Sequence, residues 1–196
     1  FLTGQSGCPQ LVTGYNKPML FDGSSDYVDL SSASVAGASA GTVSAWIYLT
    51  GAANDHATIY TCQVGPAWTA MRLVLNIKAP NMVRFHLSNG TSYLANSLVS
   101  SALNYNQWYH VAGTYNGTDA KIYIDGSLNA TYSTSIVPGS FTPGFTGIGY
   151  MSYSNRYFPG IINEVAVYDK ALPASEIKAL STRARLKELV VNGGFD

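Results

Sequence analysis

Hydrophobic residues in this chain recur at every second position, segment after segment, and that period leaves little choice of architecture. Residues 42–49 (TVSAWIYL) put Val43, Ala45, Ile47 and Leu49 on one side and Ser44, Trp46 and Tyr48 on the other. Residues 71–77 (MRLVLNI) repeat the pattern, predicting Met71, Leu73, Leu75 and Ile77 inward and Arg72 and Asn76 outward. In the next run Val83, Phe85 and Leu87 face one way, and Arg84 and His86 the other. A period of two marks half-buried strands rather than helices. Asn89-Gly90, Asn116-Gly117 and Asp125-Gly126 separate alternating runs with residues that tolerate positive φ, and Pro80-Asn81 separates another pair. Residues 107–115, 120–124 and 127–132 therefore read as three consecutive antiparallel strands. One late helix is predicted, opening at Pro173 and placing Ile177 and Leu180 three apart. Residues 189–195 read as β-like again. Many short strands with turns at this spacing predict a sandwich or jelly roll.

Charge narrows the partners. Eleven basic residues balance eleven acidic ones, and charged residues make only 11% of the chain. An average soluble domain carries about 25%. A balanced, charge-poor chain has no field to draw it onto nucleic acid or an anionic membrane, so neither is an expected partner. No apolar run reaches the length that spans a bilayer. A surface of Ser, Thr, Asn and Gly suits a secreted or cell-surface protein, and any signal peptide is expected upstream of Phe1 or already removed. Cys8 and Cys62 are too few for a disulfide framework or a zinc site; one bridge and two buried thiols both remain open. The sequons at Asn89, Asn116 and Asn129 fall at turns or strand ends and matter only where asparagine is glycosylated.

Two groups of side chains have the chemistry of a sugar site, which pairs aromatic platforms with planar hydrogen-bonding groups. Arg72, Asn76, Arg84 and His86 project from one face of two adjacent predicted strands. Tyr153, Asn155, Arg156 and Tyr157 gather in one loop between late strands, and loops are where rigid scaffolds carry function. The alternative for the strand residues is an ordinary solvated outer face. Gly65-Pro-Ala-Trp68 offers a further aromatic that looks exposed. His56, His86 and His110 show no metal-ligand spacing, and no Gly-x-Ser-x-Gly elbow occurs.

Three segments, in order, give the chain a family likeness. They are Leu20-Phe-Asp-Gly-Ser-Ser-Asp-Tyr-Val-Asp-Leu30, Gln107-Trp-Tyr-His-Val-Ala-Gly-Thr-Tyr-Asn-Gly117 with Ile122-Tyr-Ile-Asp-Gly126, and Gly160-Ile-Ile-Asn-Glu-Val-Ala-Val-Tyr168 with Lys170-Ala-Leu-Pro-Ala-Ser-Glu-Ile177. Together they resemble the laminin-G-like group of the concanavalin A-like lectin and glucanase superfamily. The resemblance implies an all-β fold, a two-sheet antiparallel jelly-roll sandwich with one short C-terminal helix. It divides the chain into an N-terminal arm (1–17), the jelly roll (18–182) and a linker with the first residues of a following module (183–196). Val190-Val-Asn-Gly-Gly-Phe195 resembles the opening strand of galactose-binding-like modules, which makes neighbouring modules of a parent chain expected partners.

What the superfamily does sets the functional expectations. Its glucanases carry Glu-x-Asp-x-(x)-Glu on one strand, because a retaining glycosidase needs two carboxylates about 5–5.5 Å apart. This chain has three glutamates, Glu164, Glu176 and Glu188, and none stands in that pattern, so no catalytic residue is expected. Many relatives hold one structural calcium ion; carried over, its ligands would be Asp22, the Gly41 carbonyl and Asn163. Asn163 stands where the motif has Asp, which removes a charge from an all-oxygen site. The expected function is a non-catalytic carbohydrate-recognition or adhesion module binding a glycan or glycosylated surface. A structural spacer with no small ligand is the alternative, since one fold serves many functions.

Overall fold

The computed structural model describes residues 18–30, 39–94, 98–152 and 156–191. Among these residues twelve strands pair into two six-stranded antiparallel sheets. Sheet A contains β1 (Met19–Asp22), β12 (Pro159–Tyr168), β3 (Gly41–Leu49), β8 (Trp108–Tyr115), β9 (Asp119–Ile124) and β10 (Ser127–Ser133), in that order across the sheet. Sheet B runs β2 (Val28–Asp29), β11 (Phe145–Ile148), β4 (Ala57–Gln63), β5 (Met71–Lys78), β6 (Met82–Leu87) and β7 (Val99–Ala102). The two-sheet antiparallel arrangement is the one the strand pattern predicts, and β8, β9 and β10 are consecutive neighbours as the Asn-Gly and Asp-Gly turns require.

Alternation fills the layer between the sheets. Val43, Ala45, Ile47 and Leu49 of β3 meet Leu73, Leu75 and Ile77 of β5 and Val83, Phe85 and Leu87 of β6 in one buried cluster. The sheets approach closely at Phe85 and Gly113, where a Cβ added to the glycine would sit 2.3 Å from the Phe85 ring. Gly113 therefore lets β8 come down onto an aromatic ring that any other residue would displace. Met71 departs from the predicted alternation. The β4–β5 register shifts between Cys62 and Gln63, and Met71 joins Val74, Met151 and Trp68 in a separate outer cluster instead of the main core.

Both sheets are covered on their outer faces. A helix, α1 (Ala174–Val191), brings Ile177 against Ala112 and Tyr123 of sheet A, and Leu172 just ahead of the helix joins the same cluster. Its observed extent corrects the sequence reading at 189–191, which are helical rather than β-like; residues 192–196 lie outside the described residues. Sheet B is covered by a 3₁₀ turn (Trp68–Ala70) and by the chain around Met151. Cys62 is a buried free thiol that accepts from Thr146 Oγ1 at 3.4 Å, while Cys8 and the N-terminal arm fall outside the described residues. No helix among the described residues is long and apolar enough to cross a membrane.

The Gly113–Phe85 contact generates a stability prediction. Gly113→Ala should cost about 1–3 kcal/mol through overpacking. In chemical denaturation, Phe85→Leu should cost less in a chain already carrying Gly113→Ala than alone, because the two residues share one space. Additive costs would mean that the sheets do not meet here.

Candidate functional site

Because Phe85 points into the core, its neighbours Arg84 and His86 must point out of it. Direct strand partners share a face, and the register sets Thr58, Asn76 and Arg84 in one row across β4, β5 and β6. A second row runs Gly147, Thr61, Val74 and His86 from β11 to β6. These outward residues do not form the solvated face that the sequence left open. Asn76, Arg84 and His86 are 0%, 2% and 1% exposed. Trp68 covers them.

The indole of Trp68 organises the group. Arg84 Cζ lies 5.0 Å from its ring centroid, and the His56 and His86 rings lie 4.7 and 5.4 Å away. Arg84 Nε donates to Asn76 Oδ1 at 3.1 Å. His86 Nε2 lies 3.2 Å from the Trp68 carbonyl oxygen, which can only accept, so Nε2 carries the proton. His56 Nε2 lies 3.0 Å from Asp55 Oδ2, and Asp55 Oδ1 accepts from Ala79 N at 3.0 Å. At the rim, the exposed Tyr93 ring sits 5.6 Å from His86. Asn76 Nδ2 and His56 Nδ1 are buried without a hydrogen-bond partner among the described residues.

Arg156 belongs to the same group. Its backbone N–H reaches the Met151 carbonyl at 3.4 Å, Met151 packs in the cluster that Trp68 touches, and its charge acts on both His56 and Arg84. Arg156 Nε is buried and has no hydrogen-bond partner among the described residues. The next residue goes elsewhere. Tyr157 stacks on Tyr150 at 4.7 Å, and Tyr150 lies 5.1 Å from the exposed Tyr27 and 5.8 Å from Phe145. Thr146 points inward to Cys62, so Phe145 faces outward and places these rings on the outer side of sheet B. Arg72 stands apart from the Trp68 group in its contacts: its guanidinium lies 5.4 Å from the Phe141 ring and against Gly90. Tyr153 and Asn155 lie outside the described residues.

The structure thus brings together Asn76, Arg84, His86 and Arg156, and adds Trp68, His56, Asp55 and Tyr93. The sequence held one clue to this burial. Outward positions on two neighbouring strands carried Asn, Arg and His rather than Lys and Glu, and a Pro-Ala-Trp turn led directly into the first of them.

The three residues proposed for calcium do not gather. Asp22 lies opposite Pro159 at one end of β12, while Gly41 adjoins Thr42, which is opposite Tyr168 at the other end. At strand rise those ends are about 25 Å apart, far beyond a shell of 2.3–2.6 Å bonds. Asp22 is also occupied. Its Oδ1 accepts from the backbone of Ser24, Ser25 and Asp26, and its Oδ2 from both serine hydroxyls. Those donors, led by the Ser25 backbone, hold its carboxyl well below the usual range. Asn163 sits opposite Trp46 in mid-strand, its Oδ1 buried without a hydrogen-bond partner among the described residues. No cluster of three His, Cys, Asp or Glu able to hold a metal occurs among the described residues. The residues named do not fit one calcium ion.

Burial keeps the histidines neutral. It lowers His56, His86 and His110 to about 4 each, aided by the Arg84 charge at His56 and His86, while Asp55 opposes it at His56. The unfolded chain takes up these protons near pH 6.5, whereas the folded chain resists until about pH 4. Stability is therefore full above about pH 6.5 and falls as the pH drops from there towards about 4. Thermal melts between about pH 7.5 and 4.5 should show this decline, and His86→Gln should make it shallower. A flat profile would count against neutral buried histidines.

No curated protein matches the chain in sequence. Solved structures do match in fold. Domain 4 of AbnA, an extracellular GH43 arabinanase from Geobacillus stearothermophilus in complex with arabinotriose, superposes with a TM-score of 0.67 at 16% identity, covering 90% of this chain and 82% of that one. The CBM40 of the Ruminococcus gnavus IT-sialidase, bound to α2,3 sialyllactose, gives a TM-score of 0.69 at 19% identity over 86% of this chain and 99% of that one. Trypanosoma rangeli sialidase matches with a TM-score of 0.53 at 19% identity, over 73% of this chain and 22% of that one. Residues 22–178, most of the chain, match the Laminin_G_3 family model, and the protein belongs to this family of the concanavalin A-like lectin/glucanases superfamily.

Proposed function

We propose that this chain is a non-catalytic carbohydrate-recognition module of a secreted or cell-surface modular protein, binding glycan on the outer side of sheet B. The observation that carries the reading is the Trp68 group. A tryptophan over a guanidinium, with Asn76 and two neutral histidines buried around it and Tyr93 exposed at the rim, combines the stacking surface and the fixed polar groups that a sugar ring needs. Similarly folded domains hold arabinotriose and sialyllactose, which supports a glycan as the ligand class.

The acids support recognition rather than hydrolysis. Both glycosidase geometries require two carboxyl groups flanking the bond. Around Trp68 the one carboxylate among the described residues is Asp55, already engaged by His56 and the Ala79 N–H. Glu164 lies on β12 of the other sheet, and Glu176, in the first turn of α1, pairs with Lys170 at 3.4 Å.

A shallow single site of this kind should bind weakly, with Kd on the order of 10⁻⁴ M, and gain strength through repetition along a parent chain. Titrating arabinotriose, lactose and 3′-sialyllactose by calorimetry should detect at least one, and Trp68→Ala should weaken it at least tenfold. Binding unchanged in Trp68→Ala would move the site elsewhere. No binding, even to multivalent glycans, would leave a spacer domain as the better reading.

A further inference from the structure

Four aromatic rings meet on the outer side of sheet B without joining a buried cluster. Tyr150 stacks on Tyr157 and lies 5.1 Å from Tyr27 and 5.8 Å from Phe145. None of the four belongs to the three hydrophobic clusters of the described residues. Tyr27 is 49% exposed and the other three are half-buried, so water reaches the group directly. Its surroundings are polar: Ser24, Ser25 and Asp26, all exposed, lead into Tyr27, and the exposed Ser152 follows Met151. Aromatic surface left open inside a polar rim marks a place of contact with something else.

The register sets this group at one end of a row whose other end is the Trp68 site. Gly147, Thr61, Val74 and His86 stand side by side across β11, β4, β5 and β6. Phe145 lays its ring over the first of them, since a Cβ added to Gly147 would sit 2.5 Å from Phe145 Cζ. Over the last, His86, lie the Trp68 ring at 5.4 Å and the exposed Tyr93 ring at 5.6 Å. Three strand spacings separate the ends, about 14 Å, which is longer than one sugar ring and close to the reach of about three linked ones. The chain itself joins the two ends, because Tyr150 belongs to the ring group and Met151 to the cluster that Trp68 touches. Gln63 Nε2 donates to Ser152 Oγ, and no described residue accepts the proton of that hydroxyl. Neither end asks a ligand to reach the buried Arg84 or Asn76; the rings are themselves the surface.

We infer that the tyrosine group and Trp68 are the two ends of one binding face, and that its ligand is a linear oligosaccharide spanning both rather than a single terminal sugar. This rests on the proposed glycan-binding function and specifies the length of its ligand. Tyrosine suits the role because its ring stacks on the apolar face of a sugar while its hydroxyl bonds to the rim. Rings already packed on one another have little freedom left to lose when a ligand settles on them.

Calorimetric titration of the intact chain with arabino-oligosaccharides and cello-oligosaccharides of two to six units, and with 3′-sialyllactose, tests the length. In a series that binds, affinity should rise about tenfold or more from the shortest to the longest member. Tyr27→Ala and Tyr157→Ala should each bring the shortest and longest members to within about threefold of one another, and so should Trp68→Ala. Tyr27 is exposed, so its removal should leave the melting temperature nearly unchanged. Affinity that does not grow with length overturns the inference and leaves the glycan-binding reading standing. So does a rise that survives both tyrosine substitutions, or binding of 3′-sialyllactose alone. Failure to bind any of these sugars overturns both.

Discussion

Phe85 resting on the backbone of Gly113 is the contact on which the arrangement turns. It brings the two sheets together at a point where one has no side chain. It also fixes the phase of β6, since a slip of one residue would send Arg84 and His86 into the apolar layer. The site is therefore a by-product of the core: the positions flanking Phe85 have nowhere to go but outward. Once outward, they are not left to water. Trp68 spreads its indole over Arg84 and His86, substituting cation–π contact and fixed hydrogen bonds for hydration.

This arrangement explains why a charge-poor chain can keep an arginine and two histidines buried on this face. Burial penalises the charged form of each group, and the histidines respond by staying neutral. Arginine cannot shed its proton so readily; burial pulls Arg84 down only to about 10, with Asp55 resisting and Arg156 assisting. A guanidinium that remains charged in such surroundings keeps a positive potential on the outer side of the sheet, where water does little to screen it.

The strand register was legible in the sequence because alternation has a period of two and the turns name themselves. Leu73, Leu75, Ile77, Val83, Phe85 and Leu87 all lie in the inter-sheet core where the pattern puts them. What the pattern could not convey was what lies over the other face. Burial of Asn76, Arg84 and His86 depends on a loop, residues 64–70, whose path has no periodicity to read. The same limit separates Arg156 from Tyr157, sequence neighbours that join different groups, and Arg72 from Asn76, on one strand but with different neighbours. The three residues carried over as calcium ligands do not meet, for a related reason. Motif order along a chain says nothing of height along a strand, and Asp22 and Gly41 sit at opposite ends of theirs. The helix outlasted its expected end because Val190 and Val191, β-formers in isolation, follow a run already committed to helix.

The floor beneath Trp68 is carried by β5 and β6, at the centre of the cooperative core, whereas its cover comes from two connecting segments, 64–70 and the chain at Met151. These two halves answer to different selective pressures. Strand residues are locked by the phase of Phe85 and change only with the whole sandwich, but connecting segments accept insertion and replacement at little cost to folding. Lineages built on this scaffold can therefore exchange the upper half of the pocket while inheriting the lower half unaltered. Diversity of ligand would then record the history of two short loops rather than of the fold.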